Sequence, residues 1–346
     1  MPCPYNIPDD FSEKPGFWLG SFLAKPTIFQ RNFGVGVNPD LVISAFYSWE
    51  AVQNICMKTR KLVQFCALSL GLILVSTPIA YAQRVFSPVQ QQAYPSPALF
   101  EELTKAKVIY LGETHDQPQE HAAQLQIIQA LHQRNPRIAI AMEMFQRPYQ
   151  SYINRYLADN INEEDLRDRT EYDERWGFPW EYYAPFLRFA KANRLPVVAL
   201  NAPTEIVRQV ARRGLQRLSR DDRRFIPPIS EIRTDDPAYR EVIQEIYEQS
   251  HKGKGNSSGF ERFFQAQVVW DETMADSIVR FLQANPDYQV IVLAGKGHVA
   301  YGYGIPSRVA RRVDGIVQRT ILLNPAEDTP PRNNTPAADF FWFTYQ

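Results

Sequence analysis

Polar residues of reactive type stand where short apolar runs end. The run 108–111 passes straight into Gly112-Glu113-Thr114-His115. The run 138–142 meets Glu143, 197–200 meets Asn201-Ala202-Pro203, and 289–294 meets Gly295-Lys296-Gly297-His298. Glu113 and His115 are two apart, so in extended chain they point the same way. With Glu143 and His298 they offer two imidazoles and two carboxylates. That set suits a divalent metal such as Zn or Mn, or iron, in a hydrolytic site. It equally suits metal-free acid–base work in which a glutamate orients a histidine. The plain alternative is that polar groups at strand ends cap the next helix, as Glu113 or Asp116 could here. Convergence of all four at one edge weighs toward chemistry.

The stretch Gly295 to Arg308, GKGHVAYGYGIPSR, is dense in glycine. Gly302-Tyr303-Gly304 could bring backbone close to a flat ligand. Tyr301 and Tyr303 could ligate ferric iron or stack on a ring, or pack as core beside a helix opened by Pro306. Lys296 could contact an anion. His121, six residues after His115, could face the same site, whereas His132 and His251 read as a helix-surface and a loop residue. An aromatic stretch, Tyr172 to Tyr183, could floor an apolar pocket or simply pack. There is no phosphate-binding loop, no G-x-S-x-G elbow and no H-E-x-x-H helix.

The elements that must position these residues alternate. Apolar runs at 108–111, 138–142, 197–200, 289–294 and 316–323 read as strands. Stretches 117–134, 204–218, 260–282 and 306–313 carry helical periodicity, with Thr204 as an expected N-cap. The pattern predicts an α/β fold with a mainly parallel central sheet flanked by helices. Helical insertions are expected after the second and third strands, at about 147–193 and 219–259, the latter holding a flexible loop at 252–259. In open parallel sheets ligands bind at the carboxyl ends of the strands, where the Glu/His set falls. Residues 339–343, DFFWF, read as an added edge strand.

The chain has 346 residues, with 38 Lys+Arg against 38 Asp+Glu. This balance argues against a nucleic-acid binder acting through bulk charge. A hydrophobic fraction of 45% with 22% charged residues argues against disorder. Residues 57–82 combine Lys58, Arg60 and Lys61, an apolar run at 62–75, and Ala80-Tyr81-Ala82. They read as a secretory signal peptide cleaved before Gln83. The apolar run is short for a membrane span, so membrane association is expected only if the segment stays uncleaved. Residues 1–56 then read as an over-extended N-terminus outside the fold, with Met57 as the true start. The folded body is expected at 83–346, one domain, exported and soluble in the periplasm or cell envelope. Cys3, Cys56 and Cys66 all precede Gln83, so the expected mature chain carries no thiol.

Taken in order, Gly112-Glu113-x-His115, the Glu143 strand end, Asn201-Ala202-Pro203, Trp270-Asp271-x-x-Met274-Ala275, and Gly295-x-Gly297-His298 with Gly304-Ile305-Pro306 resemble the ChaN-like haem-binding uptake family of the Tiki superfamily. The resemblance spans about 100–325. It implies an exported haem-binding protein of iron uptake, often dimeric and often lipid-anchored, although no lipobox cysteine stands here. Under it, haem would lie at the carboxyl edge of the sheet, with Tyr301, Tyr303 and His121 near the ring and Lys296 or Arg308 on the propionates. The wider superfamily is similar to Tiki-type metal-dependent proteases and erythromycin esterases, whose motifs match Glu113, His115, Glu143 and His298. The alternative that this implies is a hydrolase.

Overall fold

The computed structural model describes residues 83–250, 257–326 and 328–344. Residues 1–82, with the proposed signal peptide, lie outside the described residues, as do His251 and most of the 252–259 loop. All described residues belong to one compact unit.

The strands are β1 (Gln83–Ser87), β2 (Gln92–Ala93), β3 (Val108–Glu113), β4 (Ile138–Gln146), β5 (Val197–Asn201), β6 (Gln289–Gly295), β7 (Gln318–Leu323) and β8 (Phe340–Thr344). The α-helices in chain order are α1 (Ser96–Thr104), α2 (Pro118–Arg134), α3 (Gln150–Leu157), α4 (Glu163–Arg169), α5 (Tyr172–Arg175), α6 (Trp180–Ala192), α7 (Thr204–Arg213), α8 (Arg220–Arg223), α9 (Pro237–Ser250), α10 (Ser257–Ala284), α11 (Lys296–Val299) and α12 (Ile305–Arg312). The sheet order is β2-β1-β8-β7-β3-β6-β4-β5. Every pair from β8 to β5 is parallel, and β1 runs antiparallel to β8 and β2. The sheet is therefore mixed but mainly parallel.

Both faces of the central strands are covered, which is why β3, β4, β5 and β6 read as continuous apolar runs. Alternate residues still part company. Ile109 and Leu111 face a core that includes Trp176, Trp180, Tyr183 and Phe186. Val108 and Tyr110 face the other side, with Met274, Ile278 and Val309. Most of the aromatic stretch thus packs as core, with Tyr172, Trp176, Trp180 and Tyr183 buried.

Three expectations are corrected. The run 339–343 is not an edge strand: the strand it forms, β8, lies between β7 and β1, because β1 and β2 extend the sheet beyond it. Those two strands lacked the apolar run that marked the others. Thr204 does not cap α7; it is the first helical residue, and Gln146 Nε2 donates to its hydroxyl at 2.7 Å. Neither Glu113 nor Asp116 caps α2, whose N-cap Gln117 makes no side-chain capping bond.

Two details of the sheet set up the site. The carboxyl ends of β3 and β6 lie side by side, with Glu113 in register with Gly295. In β4 the pairing with β5 slips between Met142 and Gln146. Glu143 sits in that irregularity, and such bulges re-aim side chains.

Candidate functional site

Two buried chains of hydrogen bonds meet at the carboxyl ends of β3, β4 and β6. In the first, Glu113 Oε1 accepts from the Tyr183 hydroxyl at 2.5 Å and lies 2.8 Å from His115 Nδ1. In the second, Asp271 Oδ2 accepts from the Tyr239 hydroxyl at 2.5 Å, and Oδ1 lies 2.6 Å from His298 Nδ1. Each imidazole is therefore held through Nδ1 by a carboxylate that is itself fixed by a tyrosine. Glu113, His115, Tyr183, Tyr239, Asp271 and His298 are all buried.

Both imidazoles turn their other nitrogen toward the Gly295 turn. His298 Nε2 is 3.4 Å from Glu143 Oε1, while Gly295 N–H donates to Glu143 Oε2 at 2.7 Å. A Cβ placed on Gly295 would stand 3.0 Å from His115 Nε2, so glycine lets that ring approach the turn. Asn201 Nδ2 donates to the Glu143 carbonyl at 3.1 Å and pins the bulge.

The charges follow from these partners. Burial alone would raise Glu113, but His121 and His115 hold its carboxyl well below the usual range. Glu143 behaves likewise: His298, His115 and the Gly295 amide outweigh burial and hold it low. Burial opposes protonation of His298, yet Glu143 and Asp271 more than offset it and push its pKa up to about 10. At neutral pH the core of the site is thus an imidazolium between two carboxylates. A general base works best with a pKa near the working pH. His298 and Glu143 are both displaced from it, so as they stand they form a fixed charge pair.

In this geometry the four residues expected as metal ligands are engaged with one another and with their neighbours. His298 uses Nδ1 on Asp271 and Nε2 on Glu143, and Glu113 is spent on Tyr183, His115 and Gln124. Among the described residues no group of three or more His, Cys, Asp or Glu could hold a metal ion.

The remaining candidates divide. His121 joins the first chain, with Nδ1 3.4 Å from Glu113 Oε2 and Nε2 3.1 Å from the His115 carbonyl. Lys296 is buried beneath the site: its Nζ pairs with Glu120 at 2.8 Å and donates to Thr114 Oγ1 at 2.7 Å. Arg308 is also buried; it donates to the carbonyls of Tyr303 and Gly304 and lies over the Tyr239 ring at 5.0 Å. Both cations hold the turns of the site from inside, which leaves neither facing outward for a propionate.

Tyr301 and Tyr303 are half-buried and stacked on each other, centroids 5.8 Å apart and planes 23° apart. Tyr301 has φ 57°, a left-handed conformation that costs a non-glycine residue about 1–2 kcal/mol. Its hydroxyl donates to the Pro330 carbonyl at 3.1 Å, and the Arg332 guanidinium lies over its ring at 5.6 Å. The Tyr303 hydroxyl has no hydrogen-bond partner among the described residues. Gly304 allows the turn to close: a Cβ there would meet the His298 carbonyl oxygen at 2.1 Å. Half-buried Trp270 stands edge-on to His298 at 6.2 Å between centroids, and Phe178 flanks His115 at 5.2 Å. The buried polar core is therefore flanked by partly exposed aromatic rings.

From the sequence no role falls to Gln124, Tyr239 or Gln267; Tyr183 stands there only within the aromatic stretch, and Asp271 only within the Trp270-Asp271 motif. One further signal was present. Gln267 and Asp271 are four apart on α10 and so share a helix face, and both reach His298 Nδ1.

A family model described as haem-binding uptake, Tiki superfamily, ChaN matches residues 99–309. Protein RETICULATA-RELATED 5, chloroplastic, of Arabidopsis thaliana is 26% identical over 268 residues, 71% of this chain and 35% of that protein. The chain thus spans about a third of that relative's length. Among solved structures, ChaN of Campylobacter jejuni, described by its cofacial heme binding, has the same fold. Its TM-score is 0.60 at 20% identity, over 76% of this chain and 97% of that one. The chain belongs to the ChaN haem-binding uptake family of the Tiki superfamily.

Proposed function

We propose that this protein binds ferric haem for uptake, with the macrocycle against the Tyr301–Tyr303 turn at the carboxyl edge of the sheet. The observation that carries the reading is that turn. A strained, non-glycine Tyr301 and a stacked Tyr303 present two half-buried rings on a glycine-rich loop, and among the described residues the Tyr303 hydroxyl has no hydrogen-bond partner. Strain of this kind at a partly exposed turn points to function. Tyrosine ligates haem iron in known proteins, and a flat apolar ring suits a stacked aromatic wall. A cation beside the turn that could reach a propionate is Arg332, which stands over Tyr301 and pairs with Glu245. Export is part of the same proposal and rests on the signal-like pattern at 57–82.

Hemin titration tests the ligand assignment. The parent protein is expected to give a saturable Soret shift, and the Tyr301→Phe/Tyr303→Phe double variant to bind at least about tenfold more weakly, or about 1.4 kcal/mol. No Soret shift, or an unchanged one in the double variant, would sink the assignment.

A hydrolase is the second reading, and the paired tyrosine–carboxylate–histidine chains favour it. Carboxylates fix each imidazole in one orientation, and His298 is held protonated, as a general acid or electrostatic stabiliser must be. On this reading the parent protein hydrolyses members of an ester and peptide panel, and Glu143→Gln lowers the rate at least about a hundredfold. Activity that survives Glu143→Gln would reject the site.

A further inference from the structure

We propose that a cleft along the outer edge of β5 binds a small amphiphilic carboxylate, at a site separate from the histidine chains and the tyrosine turn. β5 is the last strand of the sheet, so its outer backbone groups face no further strand. Gln150 on α3 takes their place: its Nε2 donates to the Val197 carbonyl at 2.8 Å, and its Oε1 accepts from Ala199 N–H at 2.7 Å. One side-chain amide thus supplies the bonds of a neighbouring strand, and the edge is closed to strand pairing there. What remains between α3 and the carboxyl half of α10 is a cavity of about 380 Å³. That is the low end of the range for small-molecule sites, about 300–1,000 Å³.

The lining has two characters. Pro196, Val198, Phe281 and Ala284 make an apolar wall, and Arg147 and Arg280 supply two guanidinium groups. Both arginines pair with one carboxylate, Asp276. Two cations on one anion leave a positive surplus. Arg147 is largely enclosed, its side chain 17% exposed, and burial lowers its pKa against the pull of Asp276, with Arg280 and Arg312 adding repulsion. A second anion would relieve that repulsion. The Arg280 side chain pairs with Asp276 through Nε but is 63% exposed, so a second carboxylate can reach its guanidinium and make a charge-assisted bond. A charged head on Arg280 and a short apolar body on Phe281 and Val198 satisfy both halves of the lining.

Calorimetric titration of the protein with octanoate tests this, with acetate and inorganic phosphate as comparison probes. Octanoate is expected to bind saturably at one site, and Arg280→Ala to weaken it at least about tenfold. Because Arg280 is exposed, the variant is expected to keep the fold, which an unchanged thermal unfolding curve would register. No saturable octanoate binding in the millimolar range would overturn the proposal. So would binding that Arg280→Ala leaves unchanged, or acetate or phosphate binding as tight as octanoate.

Discussion

Glu113→Ala is expected to cost the protein about 3–5 kcal/mol of unfolding free energy, with Tm falling on the order of 10 °C. The reason is the number of partners that one carboxylate serves. Glu113 is fully buried. It accepts from Tyr183 and from Gln124 Nε2, and it faces both His115 and His121. Its removal leaves buried donors unpaired and takes the counter-charge from His121, whose pKa Glu113 raises against the opposing effect of burial. Glu113→Gln keeps an acceptor oxygen but loses the charge, and is expected to fall between parent and alanine. Tyr183→Phe removes one donor and is expected to cost only about 1 kcal/mol. Denaturant unfolding of the three variants checks the order. A Glu113→Ala loss below about 1 kcal/mol would show that the chain of bonds does not hold the site.

That role was only half legible in the sequence. The spacing of Glu113 and His115, and their place after an apolar run, put both at the carboxyl edge of a strand, where they are. Period-two logic could say that they point together, but not that Glu113 would be consumed as the anchor of His115. The partners that consume it, Tyr183 and Gln124, come from helices whose residues look like ordinary aromatic or polar positions. Their role depends on how α6 and α2 pack on β3, which no local pattern encodes. Glu143 shows the same limit: its strand was visible, but the irregular pairing that re-aims it was not. Lys296 is expected from the sequence as an anion contact, and the resemblance puts Lys296 or Arg308 on the propionates of a haem. Both are inside because each finds partners there, Lys296 in Glu120 and Arg308 in the turn carbonyls. The strands β1 and β2 went unseen because they are short and border the sheet, where burial does not enforce a continuous apolar run.

The satisfied character of this core bears on the choice between binding and catalysis. A site built for proton transfer needs at least one group that changes protonation near the working pH. His298 and Glu143 stabilise each other's charged forms, so the pair resists that change. A buried pair of this kind fixes the Gly295–His298 turn, and that turn leads directly into Tyr301 and Tyr303. On the haem reading, the polar core is the foundation of the tyrosine platform.

The same pair makes stability fall on the alkaline side. His298 has a folded pKa of about 10 against an ordinary value of 6.5, so the folded state holds a proton that the unfolded state releases. The stabilisation is complete below about pH 6.5, declines as pH rises, and is gone above about pH 10. The limiting slope is about 1.4 kcal/mol per pH unit. Glu120, which burial raises to about 7 despite Lys296, acts in the same direction below neutrality. Glu113 and Glu143 act oppositely: their depressed pKa values give stability that is present above about pH 4.5 and lost on acidification. Tyr183 and Tyr239 are raised above their ordinary value near 10 and so contribute only above this window. Unfolding free energies at pH 7, 8.5 and 10 should therefore drop by about 1 kcal/mol or more per pH unit. Asp271→Asn removes one of the two carboxylates that raise His298, while its amide oxygen can still accept from Tyr239. The variant should be less stable than the parent at pH 7 and should lose much less between pH 7 and 10. Parallel pH curves for parent and variant would mean that His298 is not the group that titrates.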